Sequence, residues 1–189
     1  MDRIKENIKR PAVKFFIFVI ALDLLIFLLK SNNYYFYILV GIGYGYLFPA
    51  ILTLISFYLF ANSLKVRTYI VVLVSIFSIL IILGIWLAYL FAEFDVNRIE
   101  SPTGEDALII EHRNVSLGET MHFYYFYRPT IFPGILKKLN NKPVSFFIRY
   151  DGDEAPDDLK ALGVDNAKWT VDGVIFYSER GEIEVDFKR

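Results

Sequence analysis

The sequence predicts a membrane α-domain followed by a small all-β domain, and three observations lead to this prediction. Hydrophobic residues make up 55% of the 189 residues, and the long apolar runs all lie in the first half of the chain. In the second half, apolar and polar residues alternate, as is typical of strands. Residues 1–92 carry eight Lys or Arg and three Asp or Glu, giving +5, whereas residues 93–189 carry twelve and eighteen, giving −6. We therefore predict a transmembrane domain over residues 1–94 and a β-domain over residues 95–189.

Three apolar runs predict three transmembrane helices, over about residues 12–29, 34–61 and 69–92. The first run is about 27 Å long as a helix and matches a hydrocarbon core of about 30 Å. The second opens with the aromatic residues 34–37 and the third closes on aromatic residues, as expected at headgroup level. A signal peptide is a poorer interpretation of the first run, because the run leads straight into another apolar segment.

The basic residues that flank the predicted spans indicate their orientation, because Lys and Arg favour the cytoplasmic side. Seven of them flank the spans on one side, whereas only Lys30 and Arg98 lie on the other. We therefore predict a multi-pass protein of the inner cell membrane with a cytoplasmic N-terminus and an extracytoplasmic C-terminal domain. The seven residues are Arg3, Lys5, Lys9, Arg10, Lys14, Lys65 and Arg67.

Asp23 lies inside the first predicted span, where an ionised carboxylate costs at least about 2.5 kcal/mol. It must therefore be protonated or have a partner. Matching the depths of the spans places Tyr44, Tyr46 and Trp86 nearest to it as hydrogen-bond donors. These four residues are our candidate intramembrane polar site. The alternative is that Asp23 only holds helices or subunits together.

Three glycines and a proline interrupt the second run. Glycine lets helix backbones approach closely, and an internal proline removes one helical hydrogen bond and favours a kink. The pattern predicts a hinge or packing site formed by Gly41, Gly43, Gly45 and Pro49. Together with Asp23, this segment supports an alternative function as a subunit of an oligomeric channel or transporter.

The second half predicts an antiparallel sheet or sandwich of five or six strands with one short helix. The strands are expected near residues 107–115, 120–128 and 144–150, and near the chain end. Asp172 and Gly173 form the pair preferred in two-residue hairpin turns. The acidic run that begins at Asp151 fails the calcium-loop pattern of an EF-hand. It is better explained as a solvated helix start in which Asp157 and Asp158 complement the helix dipole, with Gly163 ending the helix.

The strand at 120–128 is aromatic on both faces. It is therefore either central and covered on both sides, or it packs one face against the membrane or a partner. The following residues, 129–143, combine apolar side chains with lysines, which suits either a segment at an anionic membrane surface or a surface loop. The candidate contact residues for a partner or the membrane surface are Phe123, Tyr125, Tyr127, Phe132, Lys137 and Lys138.

No catalytic, cofactor or metal constellation is visible. The chain has no Cys, which removes disulfides, thiol nucleophiles and Cys-ligated zinc. His112 and His122 are the two histidines, and the neighbours Glu111 and Arg113 point to the face opposite His112, so they cannot form a triad with it. We predict a non-enzymatic protein without cofactors. Nucleic-acid binding is disfavoured by the negative second half.

Two motifs carry a weak family resemblance. Ser101-Pro102 with Gly104 precedes an apolar strand, and Ala167-Lys168-Trp169 precedes the sequence Asp172-Gly173-Val174-Ile175-Phe176. In this order they resemble the single blade-like β-unit of small membrane-anchored bacterial proteins of unknown function. The resemblance covers about half of the chain and implies a fold and a location, with no activity to carry over. Three predicted spans in place of one anchor are a departure from it.

The predicted function is that of an integral membrane protein whose exported β-domain binds a partner or senses the cell envelope. This class includes stress sensors, toxin-immunity proteins and membrane components of antiviral defence, and the sequence does not separate them. The expected partners are the lipid bilayer, another protein and further copies of the chain in a homo-oligomer.

Overall fold

The computed structural model describes residues 11–41, 47–90, 95–116, 120–149 and 157–188. Within these ranges the chain divides into two compact units. One unit contains the long apolar helices. The other contains the two β-sheets together with residues 33–41, which precede two of the long helices in the chain. Each unit is described by itself.

The helical unit is formed by α1 (Pro11–Ser31), α3 (Leu47–Ser63) and α4 (Thr68–Leu90), while the short α2 (Tyr37–Gly41) belongs to the other unit. The contact of α1 with α3 is close: the ring of Phe16 stacks on that of Phe60 at a centroid distance of 4.4 Å. Large apolar side chains elsewhere on these helices remain exposed, and Phe18, Phe48 and Leu73 are 63%, 68% and 68% exposed. Apolar surface of this kind needs a covering partner.

The prediction of three transmembrane helices is wrong. Among the described residues, α1 is the one helix long and apolar enough to cross a membrane, whereas α3 and the stretch Thr68–Gly84 of α4 are apolar but no longer than 17 residues. The 17 residues of α3 span about 25 Å, less than a hydrocarbon core of about 30 Å. The second predicted span is not one helix, because residues 34–36 form a strand. A multi-pass arrangement is therefore not supported.

The first sheet has the strand order β1-β5-β4-β3-β2, and β6 pairs with the other end of β4. All of its pairings are antiparallel. The long hairpin of β3 and β4 is central, and the aromatic run of β1 pairs with a strand about 100 positions later in the chain. The strands are β1 (Tyr34–Phe36), β2 (Asp95–Glu100), β3 (Ala107–Ser116), β4 (Thr120–Pro129), β5 (Ile135–Lys138) and β6 (Val144–Ile148).

The second sheet has the order β7-β8-β9 and follows the short helix α5 (Asp158–Leu162) and one 3₁₀ turn (Val164–Asn166). The expectation of five or six strands is too low, since the described residues hold nine. The predicted hairpin exists, but Gly173 pairs with Thr170, so the turn residues are Val171 and Asp172. The strands are β7 (Lys168–Thr170), β8 (Gly173–Ser178) and β9 (Gly181–Asp186).

The main hydrophobic core lies between the first sheet, α5 and the second sheet, and the rings of Phe126 and Phe176 stack across it at 5.6 Å. A second cluster on the other face of the first sheet contains Val40 of α2, Ile109 and Tyr127. Strand β4 is therefore central in the sheet and contributes side chains to the cores on both faces. The main core is built from Leu108, Ile110, Tyr124, Phe126, Leu139, Leu162, Val174, Phe176, Val185 and Phe187.

Candidate functional site

The helical unit places a partner beside Asp23 that the sequence analysis missed. The Thr53 hydroxyl oxygen lies 2.7 Å from Asp23 Oδ2 and 2.8 Å from the carbonyl oxygen of Pro49, four residues earlier. A hydroxyl has one hydrogen, which cannot be donated fully to two acceptors, so a proton on the carboxyl group of Asp23 would satisfy both contacts. A polar residue one turn beyond Pro49 was the available signal.

Asp23 and Thr53 line a cavity of about 500 Å³ between α1, α3 and α4. Apart from these two residues and Ser78, the lining is apolar. Of the predicted polar site, Tyr44 and Tyr46 lie outside the described residues, and Trp86 is 40% exposed.

The predicted hinge is described only in part. Gly41 is the last residue of α2, and Pro49 lies in the first described turn of α3. Gly43 and Gly45 lie outside the described residues.

Three of the six predicted contact residues pack against one another. The Lys138 ammonium lies 3.5 Å from the ring centroid of Tyr125 and 5.6 Å from those of Tyr35 and Tyr127, which is a cation–π arrangement. Tyr127 is 2% exposed, and its hydroxyl donates a hydrogen bond to Glu111. Lys137 and Phe123 are half-buried. Phe132 is the most accessible of the six predicted contact residues, at 70% exposure.

The β-domain contains a buried polar cluster that the sequence analysis did not find. The Asp158 carboxylate lies between the two histidines, with Oδ2 at 2.8 Å from His112 Nδ1 and Oδ1 at 2.6 Å from His122 Nδ1. Asn114 donates a longer hydrogen bond of 3.4 Å to Oδ1, and the Tyr124 hydroxyl donates to the Asp158 carbonyl oxygen at 2.7 Å. We call this group the His–Asp–His cluster.

Two elements bring the cluster together. In the β3–β4 hairpin, Asn114 pairs with His122 and Tyr124 pairs with His112, so both histidines lie on the same face of the sheet. The turn of α5 supplies the carboxylate. As predicted, Asp157 caps α5 and Gly163 ends it, but Asp158 is turned towards the sheet and is 6% exposed, so its assignment as a solvated residue is wrong.

The shared face of the histidines follows from the register of the hairpin, in which His112 lies opposite Tyr124 and His122 lies opposite Asn114. Their ten-residue separation alone does not predict it, because a shift of the register by one residue would put them on opposite faces. The carboxylate could not have been predicted from the hairpin either, because Asp158 comes from a separate helix.

Hydrogen bonding determines the charges in the cluster. Burial alone would raise the pKa of Asp158, but the hydrogen bonds from His112 and His122 and the attraction of both rings lower this pKa far below its ordinary value. His112 Nε2 also lies 2.8 Å from Asn97 Oδ1. Because both nitrogens of His112 face an oxygen, its imidazolium form satisfies both contacts with two N–H donors.

His122 differs from His112. Its side chain is fully buried, and Nε2 has no hydrogen-bond partner within the described part of the chain. The neutral ring with its proton on Nδ1 satisfies the contact with Asp158, whereas a second proton on Nε2 would be buried without an acceptor.

The cluster does not have the arrangement of a hydrolytic triad. Both nitrogens of His112 contact Asp158 and Asn97, and His122 Nε2 has no hydroxyl partner in the described ranges. The described residues also hold no group of three or more His, Cys, Asp or Glu side chains suited to a metal ion. The arrangement holds two imidazole rings and one carboxylate in hydrogen-bond contact in a buried position.

No family model, no curated protein and no solved structure matches the chain. The resemblance to membrane-anchored bacterial proteins with a blade-like β-unit stays a prediction.

Proposed function

We propose that the protein is a membrane-anchored, non-enzymatic sensor whose β-domain responds to acidification outside the cell membrane and transmits this response to a protein partner. Helix α1, 21 residues long and apolar, is the anchor. Lipid covers the exposed apolar side chains of the helical unit. The four basic residues of the segment before α1 favour a cytoplasmic N-terminus.

The position of β1 supports an external β-domain. Strand β1 starts three positions after the last residue of α1 and pairs with β5 of the β-domain. If α1 crosses the membrane with its N-terminus inside, the residues that follow it emerge outside. The sheet that contains β1 then lies outside as well.

The unpartnered Nε2 of His122 is the observation that supports acid sensing. Histidine is the side chain that takes up a proton between about pH 5 and 8. The lowered pKa of Asp158 means that its charge stabilises the fold above the ordinary carboxyl value of about 3.9 and that this contribution is lost only as the pH falls below it. Between pH 5 and 8, Asp158 therefore stays ionised.

A proton on His122 would leave the cluster with an excess positive charge. In the described chain, the charged groups on the elements that carry the cluster are Asp95, which pairs with His112 from β2, Asp157 and Lys160 on α5, and Glu111 and Arg113 on β3. The first three are exposed, whereas Glu111 and Arg113 are half-buried and point to the opposite face of the sheet from His112. The neighbour on β6 is the Phe146 ring, which stacks on His122 at 5.8 Å. In the folded state, a second proton on His122 would be buried at Nε2 without an acceptor.

We expect acidification to loosen α5, because Asp158 and its carbonyl oxygen attach this helix to the sheet. Hydrogen exchange of the α5 amides can be measured on the full chain in lipid nanodiscs at pH 7.5 and 5.5, with correction for the intrinsic effect of pH. Exchange should be at least about tenfold faster at pH 5.5, which corresponds to about 1.4 kcal/mol.

The matched variant is His122→Asn, whose side-chain amide can donate to Asp158 without titrating. It should remove most of the pH response, whereas the exposed variant Asp165→Asn should keep it. An α5 exchange rate that is equal at both pH values, or a full response in His122→Asn, would contradict the proposal.

The polar pair Asp23–Thr53 inside an apolar cavity favours a second candidate, a channel or transporter subunit. In that case Asp23→Asn should abolish ion or proton flux in proteoliposomes, because the carboxyl group is the ionisable group of the cavity lining. Ser78→Ala, which changes the same lining without removing a charge, is the control. Absence of flux in the wild-type protein, or unchanged flux in Asp23→Asn, excludes this candidate.

A further inference from the structure

Four large apolar side chains are exposed near the start of α2 and in the turn between β4 and β5. Ile131 and Phe132 of the turn are 97% and 70% exposed, and Tyr37 and Ile38 of α2 are 45% and 64% exposed. The two segments are joined directly, since the Tyr37 N–H donates to the Gly134 carbonyl oxygen at 2.8 Å. We call these four residues the apolar tip.

The turn that carries Ile131 and Phe132 is closed by hydrogen bonds. The Thr130 N–H donates to the Ile135 carbonyl oxygen at 3.0 Å, and the Ile135 N–H donates to the Phe132 carbonyl oxygen at 3.1 Å. Gly134 has the positive φ of 81° that the turn requires. The exposed side chains are therefore held outward by an ordered turn, and such an exposed apolar group marks an interaction surface.

The covalent chain limits the distance between this surface and the anchor. Ser31 ends α1 and Tyr34 begins β1, and these three steps span at most about 11 Å when fully extended. Strand β1 leads directly into Tyr37. The headgroup layer on each side of a bilayer is about 5–8 Å thick. Strand β1 therefore starts within or next to the headgroup layer where α1 leaves the hydrocarbon.

We propose that the apolar tip inserts into the headgroup and upper acyl region of the bilayer and holds the β-domain against the membrane. Its composition suits this layer, since Tyr37 is of the residue type enriched at membrane interfaces. Lys137 pairs with Tyr34 at the end of β1 that follows the anchor and adds a positive charge there. The inference rests on membrane anchoring by α1 and is independent of acid sensing.

The absence of Cys from the chain allows single labelled cysteines to test the proposal. Phe132→Cys, labelled with the polarity-sensitive fluorophore NBD, is measured in nanodiscs of neutral and anionic phospholipids. Lipids with a nitroxide near the headgroup end of the acyl chain should quench the fluorescence of this label at least twofold more than that of the control label. The control is labelled Val171→Cys, which is 96% exposed in the turn between β7 and β8, in the sheet that lacks β1.

Labelled Ile131→Cys is the second reporter, and both positions are exposed enough for the variants to keep the fold. Equal lipid quenching at positions 132 and 171 overturns the proposal. Protection of position 132 from aqueous iodide without lipid quenching also overturns it and indicates a protein contact or a second copy of the chain. Failure of the protein to enter nanodiscs contradicts the anchor itself, so the two failures are distinguishable.

Discussion

Asp158→Ala should lower the free energy of unfolding of the β-domain by about 3–5 kcal/mol, the usual effect of removing one partner from a buried charged pair. The substitution leaves His112 and His122 buried without their shared acceptor. It also removes the interaction that holds α5 on the sheet, although the hydrogen bond from Tyr124 to the backbone remains. Urea unfolding of the full chain in nanodiscs, followed by pulse proteolysis of the β-domain, measures the change.

Two variants make this result specific. Asp165→Ala removes an exposed carboxylate from the neighbouring 3₁₀ turn and should change the free energy of unfolding by less than about 0.5 kcal/mol. Asp158→Asn keeps one acceptor oxygen and should lose less stability than Asp158→Ala. If Asp158→Ala is no more destabilising than Asp165→Ala, the cluster does not hold the helix.

Gly163→Ala should be about as damaging, with a loss of about 3 kcal/mol or more. Gly163 ends α5 with φ of 82°, a conformation that is strained for an L-residue. A Cβ at this position would lie 2.1 Å from the Tyr177 carbonyl oxygen and 2.7 Å from its carbonyl carbon. These atoms belong to the backbone of β8, which is paired with β7 and β9, so they cannot move away without disturbing the second sheet.

Gly104→Ala is the matched control, because Gly104 has a similar φ of 73° and a Cβ there would meet nothing within 4 Å. It should lose only the backbone contribution of about 1–2 kcal/mol in the same unfolding measurement. The difference between the two variants isolates the close approach of α5 and β8. Equal losses would show that the steric contact contributes nothing.

Local chemistry made part of the fold predictable. The cap and end of α5 follow from Asp157 and Gly163, and the alternation around residues 107–128 gives β3 and β4 with nearly correct bounds. The predictions failed where pairing with a segment far away in the chain determines the structure. The aromatic residues of β1 match an interfacial girdle as well as a strand, and only their pairing with β5 distinguishes the two.

The candidate site likewise depends on pairing and packing between separate segments of the chain. That both histidines share a face is determined by the register of one hairpin, which their spacing alone does not fix. The third member, Asp158, was predicted to be solvated because an acidic residue complements the dipole at the start of its own helix. Its burial depends on how α5 packs on the sheet, which is decided by core residues such as Leu162 and Phe176.

Strand β1 also affects how the β-domain acquires its fold. The sheet is built from two separate stretches of the chain, and Phe36 pairs with Ile135 across a segment that includes α3 and α4. A closure of this length is slow and follows synthesis of the intervening helices. Residues 95–189 expressed alone would leave the β5 edge unpaired and the Val40 contacts unfilled, which favours edge-to-edge aggregation. The segment after the first helix is therefore part of the smallest piece of this chain that can fold as a complete β-domain.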